Sequence, residues 1–226
     1  MIEIQVKNIC KSYRSGRGHV QALWDVSFQI EKTAATAVVG KSGSGKTTLL
    51  NCIGGLERPD TGGISCDGQE IHSLGSMDLS RFQREKVGFV FQRGNLLSYL
   101  NVSENIGFPL TLNGVGKKWR ALRIEELLDR IGLKGAGRAM PHELSGGEIQ
   151  RVSAARAMAH SPRILLADEP TASLDSETGQ NLVSLMFEMG REQGCTLVIS
   201  THDQEICLLA DKRIYLKDGR VLEEEP

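Results

Sequence analysis

The run GKSGSGKT at residues 40–47 constrains this chain more than any other feature, because it lies between a short β-prone stretch, residues 36–39, and a segment that reads as a helix over residues 46–56. Glycines let successive backbone N–H groups converge on one anion, and the helix that follows adds the positive end of its dipole. Strand, glycine loop and helix in that order predict a cradle for the phosphates of a nucleotide. Gly40, Lys41, Ser42, Gly43, Ser44 and Gly45 form its wall. Lys46 is expected to reach the β- and γ-phosphates, Thr47 to give its hydroxyl to Mg²⁺, and Thr48 to donate a further hydrogen bond to phosphate.

The rest of the chain fits an α/β design around that loop. Apolar residues alternate between residues 2 and 30, with a Ser/Gly/Arg-rich turn near residues 14–18, which predicts a small antiparallel sheet. A second strand-like run, residues 87–91, ends at Gln92. From there to residue 160 the pattern becomes helical, broken at Asn101, Pro109, the glycines of 114–116 and Pro141. Two almost continuous apolar runs follow, 164–167 and 196–200, separated by a helix over about 176–192; strands of a parallel sheet buried on both faces read in this way. We therefore expect one domain, with residues 1–92 and 161–226 forming the α/β core and its β subdomain, and residues 93–160 an inserted helical subdomain. Residues 223–225, all glutamate, read as a solvated acidic tail.

Composition narrows the partners. With 226 residues, 40% of them hydrophobic, the chain can bury a sizeable core. Its 27 Lys+Arg against 28 Asp+Glu leave a formal charge of −1, so any anion site must be local, and nothing global favours nucleic acid or an anionic membrane surface. The five cysteines are scattered, without a C-x-x-C pair, and read as reduced thiols of a cytosolic protein. No stretch approaches the ~20 apolar residues of a transmembrane helix. Work at a membrane would run through docking.

A second chemical element is ILLADE at residues 164–169, an apolar strand that delivers two carboxylates at its end. Asp-Glu after a strand is commonplace alone; beside a phosphate loop it acquires a role. Asp168 is expected to hold magnesium through water, and Glu169 to polarise the attacking water. His202, in STHD, follows a strand expected to lie next to the one carrying Asp168, so it is read as a contact to the γ-phosphate. His19, His72, His142 and His160 show no ligand spacing and read as structural.

The string LSGGE, residues 144–148, precedes the helical run IQRVSAARAMA. Ser145 can cap that helix, and a helix N-terminus carrying Ser and two Gly is also an anion site. Here the sequence resembles the ABC ATPase family, whose signature is Leu-Ser-Gly-Gly-Gln. Glu148 stands where Gln is commonest, a departure that leaves the Ser145 hydroxyl and the Gly146 and Gly147 amides in place. The resemblance spans nearly the whole chain. It implies a P-loop NTPase, RecA-like core with a small N-terminal antiparallel β subdomain and an inserted helical subdomain, hydrolysing ATP with Mg²⁺. It also implies a head-to-tail pair of copies, in which Ser145, Gly146, Gly147 and Glu148 of one copy face the ATP held by the other. By the same resemblance Tyr13 stacks on adenine with Val20 nearby, and Thr47, Gln92 and Asp168 serve the metal. Gln92 heads the segment that meets a transmembrane partner, and Ser173, Leu174 and Asp175 form a loop crossing the dimer interface.

Within the family, ENIGFPL, ELSGGEIQR and LADEPTASLD look most like the lipoprotein-releasing and macrolide-export ATPases. That implies a cytoplasmic protein, peripheral at the inner membrane through a separate permease, with Leu96, Leu97, Tyr99 and Leu100 forming either a groove for the partner's coupling helix or subdomain core. Three positions depart from the pattern: Lys41, the TAAT of residues 33–36, and Ile149. Two other readings compete. One is an ABC ATPase that regulates envelope remodelling or division without moving a solute. The other is a soluble ABC ATPase acting on nucleic acid, which the absence of a second ATPase half, long coiled coil or zinc module in this sequence disfavours; no nucleic-acid partner is expected. A nucleotide kinase has no reason to carry LSGGE.

Overall fold

The alternation in the first segment closes into a long hairpin. In the computed structural model, which describes residues 1–16 and 18–226, β1 (Ile2–Ser15) pairs antiparallel with β2 (Gly18–Glu31). Ile4, Val6 and Ile9 of β1 and Leu23, Val26, Phe28 and Ile30 of β2 are buried on one face. After β3 (Ala35–Val39), α1 (Lys46–Ile53) ends three residues earlier than its pattern suggests, because Gly54 caps it and Gly55 turns the chain at φ 70°. Two further strands, β4 (Thr61–Cys66) and β5 (Gln69–Glu70), complete a four-stranded sheet in the order β2-β1-β4-β5.

Helix α2 (Ser76–Lys86) buries only Phe82, so its sequence carries too few apolar residues to signal an amphipathic face. It leads into β6 (Val87–Val90). The helical stretch follows with α3 (Val102–Leu112), α4 (Lys117–Arg130) and α5 (Gly146–Met158). Asn101 does mark a boundary: its side chain accepts from the Glu104 N–H at 2.9 Å while Glu104 accepts from the Asn101 N–H at 2.9 Å, a reciprocal cap at the start of α3. Pro109, expected to break the helix, lies inside it. The proline falls in the last turn, where Asn113 anchors the helix end by donating its backbone N–H and side-chain amide to the Pro109 carbonyl at 3.1 and 2.9 Å.

The chain then returns through β7 (Ile164–Asp168), α6 (Ser176–Gln193), β8 (Thr196–Thr201), α7 (Gln204–Leu209), β9 (Lys212–Lys217) and β10 (Arg220–Glu225). The main sheet has the order β10-β9-β3-β8-β7-β6, parallel throughout except for β10 at the edge. Residues 223–225 are therefore not a free tail. Glu223, Glu224 and Glu225 pair in register with Tyr215, Ile214 and Arg213, and the Tyr215 hydroxyl donates to Glu225 at 3.0 Å. A charged edge strand also blocks pairing with further strands.

Every residue of β7 and β8 is buried, with alternate side chains serving two cores. Leu166 and Val198 join Leu49, Leu50 and Ile53 of α1 and the β1/β2 face on one side. Leu165, Ala167, Leu197 and Ile199 join Val152, Ala155 and Met158 of α5 and Leu182, Val183 and Met186 of α6 on the other. Each fully buried aliphatic side chain contributes about 1.5–3 kcal/mol. The central strands are thus held from both faces, and their carboxyl ends are fixed.

Candidate active site

The parallel register sets the site. Val39 at the end of β3 lies beside Thr201 at the end of β8, and Asp168 at the end of β7 lies beside Ser200, so three strand ends converge where ligands enter open α/β sheets. The loop of residues 40–45 leaves β3 here and turns into α1. Two of its glycines are sterically required. A Cβ on Gly40 would come within 2.4 Å of the Leu216 carbonyl oxygen, and one on Gly45, at φ 104°, within 2.4 Å of that of Ala22. Helix α1 begins without a side-chain cap, which leaves its first N–H donors to an external acceptor. The Ser44 hydroxyl is buried in the loop with no partner, a further polar atom that an anion would satisfy.

Lys46 is 4% exposed, and its ammonium donates to the carbonyls of Gly40 at 2.7 Å and Lys41 at 3.1 Å while lying 3.0 Å from the Glu169 carboxylate. The Thr47 hydroxyl donates to Asp168 at 2.9 Å, and the Ser200 hydroxyl donates to the other Asp168 oxygen at 2.7 Å. Ser200 also accepts from the Glu169 N–H at 2.9 Å. Glu169 has φ 41°, a left-handed conformation costly for a residue with a Cβ, about 1–3 kcal/mol. That turn at the strand end separates the paths of two consecutive carboxylates: Asp168 meets Thr47 and Ser200, and Glu169 meets Lys46. His202 is mostly exposed, its Nδ1 3.9 Å from Glu169. A hydroxyl and a carboxylate are hard oxygen donors that suit Mg²⁺, which takes few protein ligands and completes its shell with water and phosphate.

The LSGGE segment is built differently. Ser145 is the N-cap of α5, its hydroxyl oxygen accepting from the Glu148 N–H at 3.3 Å, while the Glu148 carboxylate accepts from the Ser145 N–H at 2.8 Å and from the Ser145 hydroxyl at 2.7 Å. These hydrogen bonds hold the Glu148 carboxyl below its usual range. Ser145 and Gly146 are exposed. The residues Ser173, Leu174 and Asp175 enter α6, where Asp175 caps the helix by accepting from the Thr178 N–H at 3.0 Å. A Cβ on Gly147 would meet Thr178 at 3.0 Å and Leu174 at 3.9 Å, so the two loops lie against each other within one chain.

The family model for the ABC transporter matches residues 23–172, more than half of the chain. The chain belongs to the ABC transporter ATP-binding family. A solved structure described as a dimeric post-hydrolysis state of the ATP-binding cassette MJ0796 bound to ADP and Pi superposes with a TM-score of 0.92 at 38% identity, covering 98% of this chain and 97% of that one. This ABC-type ATPase cassette is also 40% identical, over 98% of its length, to the methionine import ATP-binding protein MetN of Corynebacterium jeikeium. It is 41% identical, again over 98%, to the macrolide export ATP-binding/permease protein MacB of Mannheimia succiniciproducens. It spans 60% of the first relative and 34% of the second.

Other expected residues take less direct positions in the cassette. Tyr13 pairs with Val20 across the β1/β2 hairpin. Its hydroxyl donates to Glu57 and lies 3.3 Å from the Thr48 hydroxyl, and its pKa is pushed up to about 12, chiefly by burial and then by Glu57. The ring therefore stands at the start of α1. The Gln92 side chain is exposed, but its carbonyl accepts from Gln150 of α5, tying the end of β6 to the signature helix. Of the four residues expected to form a groove, Leu97 lines one, of about 300 Å³, together with Phe89, Phe91, Phe108 and His160. Leu96 packs against the core instead, and Tyr99 projects at 73% exposure.

Sequence reasoning passed over Ser200, Glu57 and Gln150. Ser200 stands in the same STHD string that drew attention to His202, and its register opposite Asp168 was the missing signal.

Proposed function

We propose that this cassette hydrolyses ATP between two copies of itself and uses the closing of that dimer to work on a separate membrane protein. The observation that carries the reading is the division of the phosphate-binding groups. Lys46, Thr47, Asp168, Glu169 and Ser200 converge at the carboxyl ends of the central strands, while Ser145, Gly146 and their helix N-terminus are exposed and accessible to a phosphate from another molecule. That a relative at 38% identity is described as a dimer bound to ADP and Pi supports a two-copy reading.

In this reading the triphosphate enters the glycine loop, where Lys46 exchanges the Gly40 and Lys41 carbonyls for β- and γ-phosphate oxygens. Thr48 and the α1 N–H groups bind the same phosphates, and the Tyr13 ring packs on adenine with Val20 beside it. Thr47 and Gln92, and Asp168 through water, would hold Mg²⁺, which would supply positive charge to the phosphates. Ser145, Gly146 and Gly147 of the second copy donate to the γ-phosphate. Glu169, released from Lys46, accepts a proton from the attacking water as the water oxygen bonds to phosphorus in line with the departing ADP oxygen; His202 orients the γ-phosphate. Ser200 fixes the direction of both carboxylates. The products are ADP and phosphate, and loss of the bridging phosphate reopens the pair.

Closure would be passed on through the groove beside Gln92, whose apolar floor suits a short helix from a permease. The protein would then sit peripherally at the cytoplasmic face of the membrane; among the described residues no helix is long and apolar enough to cross it. One relative is named for import and the other for export, at nearly equal identity. The ENIGFPL and LADEPTASLD strings favour the export side.

The test is ATP turnover and oligomeric mass, with Mg²⁺ and ATP, for the wild type and Glu169→Gln. We expect an inactive variant trapped as an ATP-dependent dimer, which would also serve to capture the membrane partner. A variant that binds ATP, remains monomeric and turns over normally would remove Glu169 from the mechanism and the sandwich with it.

A further inference from the structure

Ser145 has one hydroxyl proton, and Glu148 holds it. The Oγ–Oε2 distance is 2.7 Å, and the same carboxylate oxygen also accepts the Ser145 N–H at 2.8 Å. A hydrogen bond from a neutral hydroxyl to a carboxylate is roughly twice as strong as one to a neutral acceptor. A fully ionised γ-phosphate is acceptor only, so the Ser145 hydroxyl can bind it only by donating this same proton. The remaining contact of the hydroxyl, as acceptor from the Glu148 N–H at 3.3 Å, caps α5 and is compatible with either orientation of the proton.

We propose that Glu148 is a positioning residue that restrains closure of the ATP sandwich, because its carboxylate competes with the partner copy's γ-phosphate for the Ser145 hydroxyl. The inference rests on the dimer reading above. When the phosphate arrives the hydroxyl turns toward it, and Glu148 keeps the Ser145 N–H but now presents a negative charge to a negative ligand. The compensating charge on this face is Arg151, one turn along α5, whose guanidinium nitrogen comes within 3.9 Å of a Cβ built on Gly147. Leu174 and Thr178, which pack against the same turn, are neutral. Arg151 attracts Glu148 as well, so it steadies the restraint in the open state and shares its charge with the phosphate in the closed one.

Glutamine isolates the effect, since its side-chain oxygen can accept both Ser145 bonds and preserve the cap while removing the charge. In a Glu169→Gln background, where dimers persist, ATP is titrated and the dimer fraction followed by sedimentation velocity. E148Q is expected to lower the ATP concentration for half-maximal dimerisation by about three- to tenfold, with the difference shrinking as salt is raised. In a Ser145→Ala background the same substitution should gain clearly less, because no hydroxyl remains to be released and only the charge repulsion is relieved. Equal midpoints with and without E148Q, or an undiminished gain in the absence of the Ser145 hydroxyl, would overturn the proposal. A parent that binds a fluorescent ATP analogue yet never dimerises would instead sink the sandwich reading, and this inference would fall with it. A purely structural cap would move the melting temperature and leave the ATP midpoint where it was.

Discussion

Lys46 and Asp168 are 4% and 7% exposed and meet groups from separate chain segments, Lys46 the Glu169 carboxylate and Asp168 the Thr47 and Ser200 hydroxyls, whereas Ser145 and Gly146 stand in solvent at the end of one helix, held by neighbours in sequence. The first half of the site is rigid because the strand ends that carry it are packed on both faces. The second is a local device on a helix. Preorganised groups act most strongly on charge that develops in a water-excluded site, so the buried half is suited to chemistry and the exposed half to recognition. Substitutions in the two halves should therefore fail in different ways.

The largest effect is expected at Lys46. Lys46→Ala removes the cation from the glycine loop and leaves Glu169 without its partner, and ATP turnover should drop by about 10²–10³-fold or more. Retained turnover would mean that the loop binds phosphate by backbone alone. Ser200→Ala comes next. It breaks the 2.7 Å bond to Asp168 and the 2.9 Å bond from the Glu169 N–H in a fully buried position, so it should cost about 1–3 kcal/mol of folding stability and slow turnover by roughly tenfold. A variant with lower melting temperature but unchanged kcat would restrict Ser200 to the fold.

Ser145→Ala tests the exposed half. Loss of the cap on α5 should cost about 1 kcal/mol of stability, while ATP affinity of the isolated copy stays the same and turnover falls because the second copy's donor is missing. Weakened ATP binding in the monomer would show that the two halves meet within one chain, and the contrast between them would collapse.

What the sequence disclosed follows the same division. The glycine loop, Asp168 and Glu169, and the Ser145 cap were legible because each is a contiguous string whose chemistry is local. The long-range complements were not. Ser200 acquires its meaning only from a parallel register with Asp168, and the groove gathers Phe89, Leu97 and Phe108 from three segments. Helix α2 stayed hidden because one apolar side chain is buried along it, and β10 because the partners of its glutamates, among them Lys212 and Tyr215, lie on the neighbouring strand. Pro109 misled for a related reason, since the contacts that anchor the helix around it come from Asn113 beyond the expected break.

The smallest expected effect probes whether the seam between the helices and the sheet is packed as firmly as the sheet itself. His72 lies in the body, hydrogen-bonded to the Cys52 carbonyl at 2.9 Å, and His160 closes the end of α5 beside the groove. Burial holds both imidazoles below their usual pKa. A folded-state pKa below the unfolded value of about 6.5 means that the neutral form is favoured by folding, so this stabilisation is complete above about pH 6.5 and is lost as pH falls through the folded-state value. Between about pH 7.5 and about pH 5.5 the melting temperature should therefore decline by a few degrees, and His72→Gln and His160→Gln should each make the decline shallower. If His72→Gln flattens it and His160→Gln does not, water reaches the end of α5 in the folded protein. The helices would then pivot on a loosely packed seam, and the rigidity ascribed to the site would belong to the sheet alone.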